Sequence, residues 1–141
     1  MHQQIRCLPK LSPPDLEKLL APIAAKGINI LAAGGGSLEY NGEFAFSVED
    51  GREEETLQIL RDLKYRPRLI RADDPRLTVC RLEDKAGELH RCVAAAAEQN
   101  LREGRIIHDL IIGKDDEGYA VQIYSEHIRT PQALSDTGTR R

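Results

Sequence analysis

Leu82-Glu83-Asp84-Lys85-Ala86-Gly87-Glu88-Leu89 is the stretch that decides the fold. Before it, residues 76–82 (Arg-Leu-Thr-Val-Cys-Arg-Leu) read as a strand. Within it, Glu83–Gly87 reads as a loop. After it, Leu89, Cys92, Val93, Ala96 and Ala97 recur at helical spacing to about residue 101. Ile106–Ile112 then predicts a strand, Lys114–Gly118 a polar turn, and Tyr119–Ser125 the returning strand. The order is β-α-β-β. Small alanines on the helix let it approach a sheet closely.

The same order is written upstream. Residues 3–8 alternate polar and apolar, as a short strand does. Ser12 is a helix N-cap candidate with Pro13 in the first turn. Leu16, Leu19, Leu20 and Ile23 form one apolar stripe, which Gly27 can end. Ile28–Ala33 reads as a buried strand, interrupted by a bulge or twisted end at Gly34-Gly35-Gly36. Asn41-Gly42 is a strong hairpin signal, and Phe44, Phe46 and Val48 mark the returning strand. Glu53-Glu54-Glu55 suits the positive end of a helix dipole, and Thr56, Ile59, Leu60 and Leu63 give that helix its inner face. Residues 66–72 read as a fourth strand, with Pro67 arguing for a sheet edge. Asp73-Asp74-Pro75 marks the boundary. The two hairpin turns lie about 75 residues apart, which suggests an internal duplication.

The fold class expected is α+β: two tandem ferredoxin-like βαββαβ units, over 1–73 and 74–126, the second truncated to βαββ. Residues 127–141 lack a long apolar stripe and read as a C-terminal tail. Units of about 70 residues are individually marginal, so each has to bury surface against the other or against a second chain. The truncated unit leaves a sheet edge and half of one face bare, which makes a homodimer the expected assembly.

Composition narrows the function. The chain has 141 residues, a formal net charge of −3 and no Trp. Its charges are interspersed, with no basic stripe and few aromatic platforms, which argues against nucleic-acid binding. No apolar run approaches the roughly 18 residues of a membrane span, and the N-terminus lacks the order of a signal peptide, so a cytoplasmic protein with no membrane association is expected. Cys7, Cys80 and Cys92 have no CxxC spacing and read as reduced and mostly buried.

The stretch 82–89 resembles the ACT domain family, whose pattern there is a strand, then Asp-x-Pro-Gly-x-Leu opening the first helix. Asp84, Gly87 and Leu89 match, and Ala86 stands where Pro is common. The pattern of elements fits over residues 1–126; the motif itself covers only 82–89. The resemblance implies regulation without catalysis and no cofactor. ACT domains often bind amino acids between domains, at the loop after the first strand, the start of the first helix, and the second strand of a neighbouring domain. Carried over by position, the ligand-binding candidates are Asp84, Lys85, Ala86, Gly87, Glu88 and Leu89, with Ile107, His108 and Asp109 from the second strand. Free N–H groups at a helix N-terminus attract a carboxylate, and glycine lets the backbone come close. The same residues also read as no more than a helix cap and its first packing residue.

Other constellations carry less. His108 and Asp109 are adjacent, so on a regular strand they point to opposite faces and form no dyad. His90 and His127 have no ligand-spaced partners for a metal. Asp115, Asp116 and Glu117 read as a solvated hairpin tip. No nucleophile, base and orienting group assemble, so no enzyme is expected. Two readings remain: a sensor for a small-molecule effector, an amino acid being one candidate, or a ligand-free module that docks on an enzyme subunit.

Overall fold

Side-chain alternation along the strands sorts the chain into apolar outer faces and an inner one that mixes buried polar groups with small apolar clusters. The computed structural model describes residues 3–7, 13–35 and 43–128. Among them the elements are β1 (Gln4–Cys7), α1 (Pro13–Ala25), β2 (Ile30–Gly35), β3 (Phe44–Val48), α2 (Glu53–Asp62), β4 (Arg68–Ile70), β5 (Leu77–Arg81), α3 (Glu88–Arg102), β6 (Arg105–Asp115) and β7 (Gly118–His127). The Ser12 cap, Gly36, the Asn41-Gly42 turn and the tail from residue 129 lie outside the described residues. The strands form one antiparallel sheet in the order β4-β1-β3-β2-β6-β7-β5. β4 lies at one edge, as Pro67 predicts, and β5 at the other.

On the first four strands, Ile5, Cys7, Phe44, Phe46 and Val48 point outward under α1 and α2. There they meet Leu19, Ile23, Leu57 and Leu60, all fully buried. Full burial of each large apolar side chain is worth roughly 1.5–3 kcal/mol, so this cluster is the main apolar store of the fold. On the last three strands α3 alone among the described elements covers the outer face, and Cys92 and Ala96 pack on Val121 and Ile123.

The α3 stripe differs from the one predicted. Its buried residues are Glu88, Cys92, Ala96 and Asn100, a clean four-residue repeat, while Leu89 is 40% exposed. The polar members are drawn inward by partners. Glu88 accepts the Glu83 backbone N–H, and Asn100 donates to Ser125 Oγ at 2.6 Å. The expectation of three reduced cysteines is also corrected. Cys80 on β5 and Cys92 on α3 form a disulfide, and only Cys7 is free. Neighbouring elements bring the two within reach (Cα atoms 6.0 Å apart), which sequence spacing does not reveal.

The sheet is curled. β1 and β7 are four places apart, about 19 Å in a flat sheet at ~4.8 Å per strand. Yet Gln4 Nε2 on β1 donates to Gln122 Oε1 on β7 at 2.8 Å. The two edges meet as well, through Ile70 of β4, Leu77 of β5 and Tyr124. The inner faces of the first and last strands therefore look at each other, with the helices outside.

β2 meets β6 at Ala32 opposite Gly113. A Cβ on Gly113 would run into the Leu31 carbonyl and the Ala32 side chain, so glycine is required for the two strands to approach. The bulge predicted at Gly34–Gly36 is not at the glycines described: Gly34 and Gly35 pair regularly with Ala45 and Phe44, and the irregularity lies between Ile30 and Ala32. Gly34 instead admits Ile111, whose Cγ2 would lie 2.7 Å from an added Cβ.

Candidate functional site: the mouth of α3 and the inner polar seam

The loop between β5 and α3 is exposed from Glu83 through Gly87. Gly87 is the N-cap of α3, with φ 88° and no side-chain capping bond. Glycine suits this left-handed position, where a Cβ would cost energy. Glu88 turns back under the loop, accepting the Glu83 N–H at 3.1 Å and pairing with Arg91 at 2.9 Å. Arg91, with help from that N–H, holds the Glu88 carboxyl down at about 2. Lys85 stands exposed above the loop, within 4.0 Å of Glu83. The mouth therefore offers backbone N–H groups, the exposed Lys85 cation and two exposed carboxylates, Glu83 and Asp84, with Glu88 tied beneath. The cap reading finds support in Glu88, and the ligand reading in the uncapped Gly87.

Beside the mouth, Leu82 N–H bonds the Tyr119 carbonyl, and Arg81 grips Asp115 through two bonds of 2.6 and 2.7 Å. That grip holds Asp115 far below the usual carboxylate range. Asp115, Asp116 and Glu117 are more than a solvated tip: with Asn29, Leu31, Glu49 and Asp50 they line an open cleft between β2 and the β6–β7 turn.

The other predicted site residues lie at the far end of β6. Ile107 pairs with Ser125 and Asp109 with Tyr124, whereas Arg81 beside the mouth pairs with Ala120. About five residues of β7, or roughly 16 Å, separate the two sets. Within one chain the structure groups Asp84–Leu89 together and Ile107–Asp109 together, and does not join the groups.

His108 and Asp109 overturn the strand-parity argument. The register shifts between Ile107 and Asp109, and this bulge swings His108 round so that its Nδ1 lies 3.0 Å from Asp109 Oδ2. The His108 ring also meets Tyr124 edge-on, with centroids 5.7 Å apart.

Asp109 leads into a polar seam that sequence reasoning missed. Arg6 on β1 is fully buried, and its guanidinium takes Asp109 with both terminal nitrogens and Glu43 through Nε. It also donates to Gln4 at 2.6 Å and lies over the Tyr124 ring at 3.8 Å. Gln122 extends the seam to Ser47 at 2.6 Å. Arg68 on β4 pairs with Glu43 at 2.8 Å and reaches the Tyr124 hydroxyl, which donates to Glu126. Burial favours a neutral Glu43, but the hydrogen bonds from Arg6 and Arg68 outweigh it and leave the carboxyl below its ordinary range. Burial likewise disfavours the Arg6 charge, and Asp109 and Glu43 reverse the sign. The sequence signal was the polar half of the alternation in Gln4-Ile5-Arg6-Cys7, which does not by itself say that the polar face is buried. This seam is satisfied internally and reads as the lock between the two ends of the sheet.

Fold and seam define an α+β protein with a curled antiparallel sheet and helices outside, in agreement with an ACT-like ferredoxin arrangement. Protein BT0572 from Bacteroides thetaiotaomicron superimposes with a TM-score of 0.62 at 15% identity, covering 96% of this chain and 87% of that one. The regulatory subunit of aspartate kinase from Thermus thermophilus, in its ligand-free form, superimposes with a TM-score of 0.51 at 18% identity, over 86% of this chain and 82% of that one. At such identities the likeness concerns the fold. No family model and no curated protein matches the sequence. Among the described residues no helix is long and apolar enough to cross a membrane, and no cluster of His, Cys, Asp and Glu could hold a metal.

Proposed function

We propose that this chain is a non-catalytic regulatory protein made of two ACT-like units, residues 1–73 and a truncated 74–126, which binds a small-molecule effector at the mouth of α3. The uncapped, exposed helix start at Gly87 carries this reading. Its backbone N–H groups and Lys85 suit a carboxylate, and an amino acid is the class tested first. The second group, Ile107, His108 and Asp109, completes the site only from a neighbouring copy, so the site and a homodimer go together. The aspartate kinase regulatory subunit among the fold neighbours fits a role in effector sensing.

The test is a thermal shift screen of the intact chain against the twenty amino acids and common metabolites. A ligand at 100 times its Kd adds about 2.7 kcal/mol to stability and raises Tm accordingly. Lys85→Gln is expected to abolish the response while moving the ligand-free Tm little, because Lys85 is exposed and its pair with Glu83 is a long surface contact. Absence of any response at millimolar concentration would sink the sensor reading. A specific observation then favours the docking alternative: among the described residues β5 is a sheet edge, and Ile112 and Tyr119 are 44% and 56% exposed on the half where α3 packs. That module would retain an enzyme subunit in pull-down experiments and ignore metabolites.

A further inference from the structure

We propose that Cys80–Cys92 is a reversible thiol–disulfide exchange site whose redox state sets the mobility of the loop opening α3. The bridge ties edge strand β5 to the second turn of α3, and the 12-residue separation encloses the whole loop 82–87. That loop is exposed, and beside the bridge it is held by local bonds, chiefly the Glu83 N–H to Glu88 and the Leu82 N–H to the Tyr119 carbonyl.

Two features suit the bridge to exchange. The two sulfurs are unequal: Cys80 is half-buried at a sheet edge and Cys92 is buried. An incoming thiolate therefore reaches Cys80 Sγ first. The Arg91 Nη2, held by Glu88 at 3.0 Å and by the Arg81 carbonyl at 3.2 Å, lies 3.8 Å from Cys80 Sγ and 3.7 Å from Cys92 Sγ, so a fixed guanidinium is next to the thiolate that leaves. Cys7, by contrast, is buried under the first two helices, and burial pushes its thiol up to about 12. It is inert and serves as an internal reference.

The chemistry balances with a dithiol reductant. One reductant thiolate attacks Cys80 Sγ; the S–S bond breaks and Cys92 leaves as a thiolate beside Arg91. The second reductant thiolate attacks its own sulfur in the mixed disulfide, releasing Cys80 and closing the reductant's disulfide. Two electrons pass to the protein, and the two protons lost by the dithiol end on Cys80 and Cys92. Reduction removes the covalent tie between β5 and α3 and loosens the loop between them. The site stands on the sulfur and Arg91 geometry, independently of any effector.

The experiment equilibrates the native chain in dithiothreitol or in oxidised glutathione, quantifies each cysteine by alkylation and mass spectrometry, and follows amide exchange. Expected is paired protection of Cys80 and Cys92 in oxidised glutathione and paired release in dithiothreitol, with Cys7 unchanged. Amides of 83–88 should exchange about tenfold faster when reduced, with β1 and β3 unaffected. Arg91→Ala should slow the reduction several-fold, and Arg91→Lys should restore most of the rate. A bridge that fails to form, one that resists dithiothreitol in the native state, or equal exchange at 83–88 in both states overturns the proposal. The redox titration uses the unaltered chain, so a folding failure of Cys80→Ser/Cys92→Ser does not remove the test. An effector screen that fails while the redox response holds would refute the sensor reading alone.

Discussion

The two ends of the sheet are built differently. Under α1 and α2, Ile5, Phe46, Leu19, Ile23, Leu57 and Leu60 form a broad apolar cluster. Under α3, the smaller Cys92 and Ala96 meet Val121 and Ile123, and a disulfide and an Asn100–Ser125 bond complete the contact. The first end has an apolar store to stabilise itself. The second has one helix, buried polar groups and exposed Ile112 and Tyr119. The difference teaches where the second end draws its stability: from the seam, through Arg6–Asp109 and Gln4–Gln122. Polar contacts there join residues more than a hundred positions apart, so a small half is held by a larger one.

The sharpest way to break that dependence is Arg6→Met. It strips Asp109 of its guanidinium partner and leaves Glu43 with Arg68 alone, and removing one partner of a buried pair costs roughly 3–5 kcal/mol. Urea unfolding should show this loss, and hydrogen exchange should show β6 and β7 opening before β1 and β3. Uniform loss across both ends would mean that the seam is not a lock. Leu60→Ala is expected to cost about 2–5 kcal/mol, because Leu60 is fully buried at the better-packed end. A smaller cost than for Ile123→Ala in the same denaturant series would reverse the ranking of the two cores. Gly113→Ala strikes the β2–β6 joint and should cost about 1–3 kcal/mol through overpacking. An unchanged urea midpoint would show that the joint has slack.

Acid should reach the α3 end through Glu88. Its carboxyl titrates at about 2 in the folded chain because Arg91 and the Glu83 N–H bind the anion. In the unfolded chain it titrates near an ordinary ~4.3. The unfolded state therefore takes the proton first. The contribution is complete above about pH 4.3 and is lost as pH falls from there through about 2. Glu88→Gln is expected to flatten that acid limb in part, since Glu43 and Asp115 are also depressed and remain. An identical slope in unfolding curves from pH 5 to pH 2 would count against it. The smallest effect belongs to the surface: Arg102→Ala removes an exposed pair with Glu98 and should move stability by less than about 0.5 kcal/mol.

Much of the layout was legible in local pattern. Alternation at Phe44, Phe46 and Val48 placed β3, helical spacing at Leu19 and Ile23 placed the inner face of α1, and Pro67 placed β4 at an edge. The stretch 82–89 fixed the strand, loop and helix start that form the candidate site. Less legible were side chains whose position depends on a distant partner. Leu89 and Glu88 exchanged roles on α3 because Glu88 found the Glu83 N–H and Arg91. His108 and Asp109 met because a bulge broke the period of two on which the parity argument rested.

Sequence by itself determined the order of elements and the apolar outer faces, because helix and strand periodicity act over a few residues and need no knowledge of the rest of the chain. Tertiary structure decided the curl, the Arg6 seam, the Cys80–Cys92 bridge and the separation of the two groups of site residues. These depend on contacts between residues far apart in sequence, and the burial of a charge such as Arg6 is tolerable only once Glu43 and Asp109 arrive from other strands to compensate it.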